Sequence, residues 1–242
     1  MATRYLAQAA PRGCWVIAHR GCSATHPENT MAAFKAAVEA NADFIELDVH
    51  ITGDGNVVVI HDAELKRTTD SEGNVEDMAL ADIRKADAGS WKDASFAGEK
   101  VPTLEEVFQE IPIGVKVEIK SEGEEICRRV LEIVKAADAL DRVVISSFSE
   151  DNLRRLSVLE PESQRLWLNG CEPKRVMCLT QLAGPDYRDL RPGFVVEMHE
   201  LSLGVWPWTV DRPEEIAMML EMGVDGIISN RPDLVIAALT SK

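Results

Sequence analysis

Basic residues are scarce in this chain. Its 242 residues include 26 lysines and arginines against 41 aspartates and glutamates, for a formal charge of -15 and a pI near 4.8. Nucleic acid and anionic membrane surfaces need a basic footprint, so neither is expected as a partner. Cysteine is sparse too. Cys14, Cys22, Cys127, Cys171 and Cys178 are odd in number, scattered and without metal-type spacing, which argues against a disulfide framework and for a reducing compartment. Such residues act as small hydrophobes. No stretch approaches the ~18 apolar residues of a membrane span. YLAQAA, between Arg4 and Arg12, is too short and too polar for a signal-peptide core. Linkers, low-complexity tracts and short-period repeats are also lacking. The expectation is a soluble cytoplasmic protein that acts on a small molecule.

What is present is enough apolar sequence, 45% of the chain, to bury a full core, and this length suits one α/β barrel. WVIAH at 15–19 reads as a buried strand opening into a loop. PENT at 27–30 leads into a helix whose apolar face carries Met31, Phe34 and Val38, with Asn29 or Thr30 as N-cap. The strand FIELDV at 44–49 follows, and VVVI at 57–60 runs back along it. From 61 to 102 the pattern is polar and turn-rich, with one weak helical patch at 80–85, as in an insertion lying over a site. Alternation resumes with a helix capped by Thr103 and a strand at 115–120. Helices are then expected at 124–139, 150–159, around 174–181, at 193–201, at 213–222 and at the C-terminal end. Strands are expected at 143–148, at 165–169, poorly defined near 187–190, at 205–210 and at 226–229. That makes roughly eight strand-helix units, the number a (β/α)8 TIM barrel requires. The expected division is one domain, 1–242, with an insertion at approximately 50–102.

Chemistry concentrates at 44–62. Successive strand side chains alternate, so Glu46 and Asp48 share one face while Ile45, Leu47 and Val49 take the other. Two carboxylates on an apolar strand are costly to bury without positive charge between them, and a hard divalent cation meets that need. The Asp54-Gly55 turn then returns His61 and Asp62 toward Glu46. By itself the stretch reads equally well as a half-buried hairpin with solvated carboxylates. In a barrel, however, functional groups gather at the carboxyl ends of the strands. His19 with Arg20, Glu46 with Asp48, and Glu118 with Lys120 all lie late in their strands. Carboxylates to hold a cation, Arg20 and Lys120 to hold an anion, and two histidines to move protons form the inventory for displacement at phosphorus.

The motifs AHRG (18–21), PENT (27–30), IELDV (45–49), Asp54-Gly55, His61-Asp62, RTT (67–69), PTL (102–104), EIK (118–120), WTV (208–210) and GVDGII (223–228) resemble those of the glycerophosphodiester phosphodiesterase family, of the short bacterial cytoplasmic type. The match extends over residues 15–232. The resemblance implies a TIM barrel with a small insertion carrying the second histidine. It implies His19 and His61 as the general acid/base pair and Glu46, Asp48 and Glu118 as ligands of Mg²⁺ or Ca²⁺, with Mn²⁺ a further candidate. Arg20 and Lys120 are implied contacts to the substrate phosphate. The reaction implied is metal-dependent hydrolysis of glycerophosphodiesters to sn-glycerol 3-phosphate and an alcohol: the glycerol 2-hydroxyl attacks phosphorus, and water then opens a cyclic phosphate.

Departures from the family pattern are modest. Asn41 and Ser202 stand where glycine is usual at helix ends, His26 replaces a small residue before PENT and is a candidate for lining the pocket, and the compressed stretch 171–191 leaves the sixth strand undefined. Trp206 and Trp208 are expected as aromatic walls near the seventh strand's end. Trp91 and Phe96 are read either as closing the same pocket or as core, His50 as lying beyond its strand, and His199 as exposed. Three alternatives stay open: the same chemistry on a sugar phosphodiester or lysophospholipid, a metal-free glycoside hydrolase using Glu46 and Glu118, and a catalytically silent binding protein. The glycosidase leaves Arg20, Lys120 and both histidines without a task.

Overall fold

Short runs rich in Val, Ile and Leu form the sheet. Its strands are β1 (Trp15–Ala18), β2 (Phe44–Ile51), β3 (Val57–Val59), β4 (Gly114–Ile119), β5 (Val143–Ser147), β6 (Gln164–Trp167), β7 (Leu182–Ala183), β8 (Gly204–Val205) and β9 (Gly226–Ser229). The computed structural model describes residues 10–240, so the leader readings on 1–9 lie outside the described residues. Eight strands pair in parallel in the order β8-β7-β6-β5-β4-β2-β1-β9, and β3 pairs antiparallel with β2. Backbone bonds from Asp225 N to Val205 O (3.0 Å) and from Ile228 N to Pro207 O (3.1 Å) join the two ends. The result is a nearly closed (β/α)8 barrel.

The surrounding helices are α1 (Met31–Glu39), α2 (Leu80–Ile83), α3 (Leu104–Glu110), α4 (Glu124–Ala136), α5 (Glu150–Leu159), α6 (Pro173–Met177), α7 (Phe194–Glu200), α8 (Pro213–Met222) and α9 (Pro232–Thr240). Their starts follow from local chemistry. Thr30 caps α1 by accepting from Ala33 N, and Thr103 and Glu106 form a reciprocal capping box on α3. Asn41 and Ser202 both adopt positive φ after α1 and α7, the left-handed geometry that glycine usually supplies. The 61–102 stretch packs Leu65, Val75 and Ile83 on Val58 and Ile60 to form a small apolar cluster separate from the barrel core.

Alternation along the strands divides the core. Val16, Ile45, Leu47 and Val117 face the helices, while Trp15, Ile17, Phe44, Leu166, Trp206 and Ile228 fill the lower barrel interior. Gly114 opens β4 because a Cβ there would lie 2.4 Å from the Phe44 ring. Phe44 is two residues before Glu46 on the same inward face, so the interior changes from apolar to charged within one step of the strand.

Several boundaries differ from the sequence expectation. The sixth parallel strand is β7 at Leu182–Ala183, not 187–190; residues 187–189 form a 3₁₀ turn held by the Asp186 carboxylate accepting from Arg188 N. A two-residue strand before Gly184 and Pro185 is too short to show an alternation. Helix α6 ends at Met177 rather than 181, α4 ends at Ala136 rather than 139, and β8 is confined to Gly204–Val205. Pro207 follows within two residues of β8 and offers no N–H to extend a ladder. His50 lies inside β2, which continues to Ile51 because His50 and Ile51 pair with Val58 and Val57 of β3 beyond the end of the β4 pairing at Val49. Among the described residues no helix is long and apolar enough to cross a membrane.

Candidate active site

Strand register assembles the charged centre. Glu46 sits opposite Lys116 and Asp48 opposite Glu118, so β2 and β4 bring three carboxylates into the upper barrel. Each offers one oxygen, and these oxygens lie within 4.8 Å of one another in a buried cluster. Three cations alternate with them. Lys116 Nζ is 3.4 Å from Glu46 and 3.9 Å from Glu118. Lys120 Nζ is 2.8 Å from Glu118 and 3.8 Å from Asp48. The Arg20 side chain reaches Asp48 at 3.2 Å, and its backbone N–H donates to Glu46 at 2.8 Å. Asn29 Nδ2 donates to Asp48 Oδ2 at 2.9 Å, whereas the buried Asp48 Oδ1 accepts no hydrogen bond among the described residues. A buried carboxylate oxygen without a donor, among three carboxylates, is the donor set of a hard divalent cation. The residues present therefore fit such an ion.

Burial disfavours every charge here, and the partners oppose it. Burial would protonate Asp48, but Arg20, His61 and Lys120 hold its carboxyl below the usual range. Burial, then the nearby Asp48, pushes Glu118 up. Arg20 and Lys120 lose hydration, yet the surrounding carboxylates raise both.

The two histidines present the same nitrogen inward. His19, in the turn after β1, places Nδ1 2.7 Å from Asn230 Oδ1 and Nε2 4.0 Å from Glu46. Asn230 Oδ1 also accepts from Ser23, and Asn230 Nδ2 donates to Asp211 at 2.7 Å. This bonding fixes the amide orientation and assigns the His19 proton to Nδ1. His61, just beyond β3, bonds Asp62 through Nδ1 at 2.6 Å and meets Lys120 Nζ through Nε2 at 3.1 Å. Asp62 is held well below the carboxylate range, first by the hydrogen bond from Arg67. Arg67 and Arg20 both grip Glu28, tying the stretch after β3 to the loop after β1.

His19, Arg20, Glu46, His61, Lys116, Glu118 and Lys120 line one cavity of about 130 Å³, walled by Phe148, Leu168, Trp208, Thr209 and Ile228. Trp208 packs edge-on against Phe148 and donates to Gly184 O. Trp206 does not belong to this wall. It is fully buried in the lower interior against Phe44, one step deeper along the barrel axis than Trp208, which packs on the same interior cluster and reaches the cavity. Trp91 and Phe96 also lie away from the lining, Phe96 packing on His26, which stays outside the cavity as well. His50 is buried and bonds the His61 carbonyl and Ser121, holding the turn rather than facing the cavity. His199 is exposed and pairs with Asp225.

The chain matches the sequence model of the glycerophosphoryl diester phosphodiesterase family over residues 19–234. It is 42% identical over 234 residues to a glycerophosphodiester phosphodiesterase of Caldanaerobacter subterraneus, covering 91% of this chain and 96% of that protein. It belongs to this family. Among solved structures it is similar to a phosphodiesterase of Oleispira antarctica in complex with the product sn-glycerol-3-phosphate, with TM-score 0.88, 29% identity and 93% and 96% of the two chains covered. A putative glycerophosphoryl diester phosphodiesterase of Silicibacter pomeroyi superposes with TM-score 0.89 at 28% identity, over 98% and 96%.

His19, Arg20, Glu46, Asp48, His61, Glu118 and Lys120, singled out from the sequence, come together around this cavity, whereas the residues that support them were missed. Lys116 carried a signal, since it shares the inward face of Glu118 and Lys120. Asn230 and Asp211 carried only a weak one, as polar residues just after strand-like segments. Glu28, Asn29 and Arg67 stand in recognised motifs, but the bonds Asn29–Asp48 and Arg67–Glu28 cross 19 and 39 residues and join different loops, which the motifs do not show.

Proposed function

We propose that the protein hydrolyses glycerophosphodiesters to sn-glycerol 3-phosphate and an alcohol in a metal-dependent reaction, with His19 and His61 as its acid/base pair. The observation that carries this is the convergence of both Nε2 atoms on one cavity floored by the carboxylate cluster and rimmed by Arg20 and Lys120. Glu46, Asp48 and Glu118 would hold Mg²⁺ or Ca²⁺, or alternatively Mn²⁺. Such an ion supplies charge neutralisation at the phosphate oxygens. Arg20 and Lys120 bind the phosphodiester anion and keep its negative charge matched as the reaction proceeds. One histidine takes the proton of the glycerol 2-hydroxyl as that oxygen bonds phosphorus, and the other protonates the departing alcohol oxygen. The roles then reverse as water opens the cyclic phosphate. Asp62 and Asn230 keep each Nδ1–H directed away from the cavity, so that Nε2 does the proton transfer.

Lys116 fills the gap between Glu46 and Glu118, where a glycosidase would keep its sugar ring, which disfavours that reading. The Phe148–Trp208 corner suits the apolar face of a small alcohol such as glycerol. We read the chain as one domain whose residues at approximately 50–102 form the insertion, a division supported by their separate apolar cluster. A cytoplasmic location is supported by Cys22, Cys127, Cys171 and Cys178, all free thiols.

The test is to incubate purified protein with glycerophosphocholine, glycerophosphoethanolamine and a sugar phosphodiester, with Mg²⁺, Ca²⁺, Mn²⁺ or EDTA, and to measure released phosphomonoester. Metal-dependent release from the glycerol substrates is expected. Turnover of the sugar diester alone would move the specificity, and silence throughout would overturn the reaction.

A further inference from the structure

Three cations of the chain itself counter the carboxylate cluster. Two of the three bridge two carboxylates each, Lys116 joining Glu46 to Glu118 and Lys120 joining Glu118 to Asp48, while the Arg20 guanidinium pairs with Asp48 and with Glu28 outside the cluster and meets Glu46 only through the backbone N–H. The three differ in their freedom to leave. The Arg20 and Lys120 side chains are 18% and 19% exposed and reach the cavity mouth, where an incoming phosphate would meet them. Lys116 is 1% exposed, deep in the barrel, with Phe44 and the apolar layer behind it on the neighbouring strand. Its ammonium has nowhere to rotate to when another cation arrives. Two of its oxygen neighbours are members of the cluster that fits a divalent ion.

We propose that Lys116 is a resident counter-charge that sets the metal affinity of the site: it keeps the metal-free centre folded, and it weakens the binding of the divalent ion that it must then share carboxylates with. The inference rests on the metal-site reading above. Without Lys116 three buried carboxylates would face only Lys120 and Arg20, and Glu46 would lose its nearest side-chain cation, 3.4 Å away, so the site would depend more on the ion for its stability. With Lys116 in place, an arriving divalent cation meets a cluster whose charge is largely satisfied. Its binding gains correspondingly less, and the phosphate anion that draws Arg20 and Lys120 toward itself frees carboxylate charge for the ion. Lys116 is thus a positioning residue for the metal and for Glu46 and Glu118, not a group that touches the reacting atoms.

The experiment compares wild type with Lys116→Met and Lys116→Gln, full-length and freed of metal, using calorimetric titration with Mg²⁺ and thermal melts in EDTA and in Mg²⁺. Removing a unit charge beside the ligand oxygens is expected to tighten Mg²⁺ binding by about tenfold or more. The variants should melt lower than wild type in EDTA and recover most of that loss in Mg²⁺, while wild type changes little on chelation. A variant that folds only when Mg²⁺ is present is the extreme form of the same result. A residue with a merely structural role would leave Mg²⁺ affinity unchanged or reduce it, and either result overturns the inference, as does wild type that collapses on chelation. If both variants fail to fold under every condition, the wild-type response to chelation decides alone. If neither wild type nor variant binds Mg²⁺, Ca²⁺ or Mn²⁺, the metal reading itself fails and this inference with it; equal affinity in all three proteins overturns this inference only.

Discussion

His19 Nδ1 and Asn230 Oδ1 lie 2.7 Å apart although 211 residues separate them in the chain. The loop after β9 thereby orients a histidine in the loop after β1, and Asp211 fixes the asparagine through both its backbone N–H and its Nδ2. Replacing Asn230 with Ala should lower kcat by about 10- to 100-fold through loss of the tautomer and ring orientation. KM should change little, and the acidic limb of the pH–rate profile should move. Asp211→Asn, which can still accept from Asn230, should have a smaller effect.

The acid/base pair predicts matched defects. His19→Asn and His61→Asn should each lose activity on the order of 10² to 10⁴ with the fold retained, because both side chains sit in partly exposed turns outside the core. Steady-state rates alongside circular dichroism check this. Near wild-type turnover in either variant removes that histidine from the mechanism.

Chelation should abolish activity and added divalent metal should restore it. Glu118→Gln should need more metal than wild type for half-maximal rate, and part of its activity should return as the metal concentration rises. An activity titration against Mg²⁺ at fixed substrate measures the shift, and an unshifted curve would remove Glu118 from the ligand set.

The two neighbouring tryptophans should separate. Trp206→Ala leaves a cavity beneath Phe44 and should cost about 3–5 kcal/mol of stability, with turnover preserved at low temperature because the ring does not line the cavity. Trp208→Ala should cost less stability and raise KM. Denaturant melts and substrate titrations of both variants test the contrast. Gly114→Ala, whose new Cβ would press on Phe44, should destabilise by about 1–3 kcal/mol through overpacking.

Burial pushes the Cys22 and Cys127 thiols up to about 11. Because the folded value exceeds the unfolded one of 9.0, the unfolded chain releases these protons first as pH rises. Their contribution is complete below pH 9 and is lost as pH climbs toward 11. Denaturant midpoints measured across that interval should fall less steeply in Cys22→Ala and in Cys127→Ala than in wild type. Parallel slopes would show that these thiols do not contribute.

Much of the centre was legible because its grammar is local. Alternation along FIELDV placed Glu46 and Asp48 on one face, the Asp54-Gly55 turn returned His61, and Thr103 announced α3 three residues ahead of Glu106. Strand β7 was illegible, since two residues between a polar stretch and Gly184 carry no period, and Trp206 is absent from the cavity lining because it lies deeper in the barrel than Trp208, a depth that sequence proximity does not give.

The sequence alone determined the barrel class, the family and the residues that would meet at its mouth, because strand alternation, capping and turn chemistry act over a few positions. Only the tertiary structure decided how those charges pair. That Lys116 stands between Glu46 and Glu118, that Asn230 steers His19, and that Glu28 links Arg20 to Arg67 are consequences of strand register and barrel closure. Register joins segments tens to hundreds of residues apart, and it is set by the packing of the whole interior rather than by any one stretch.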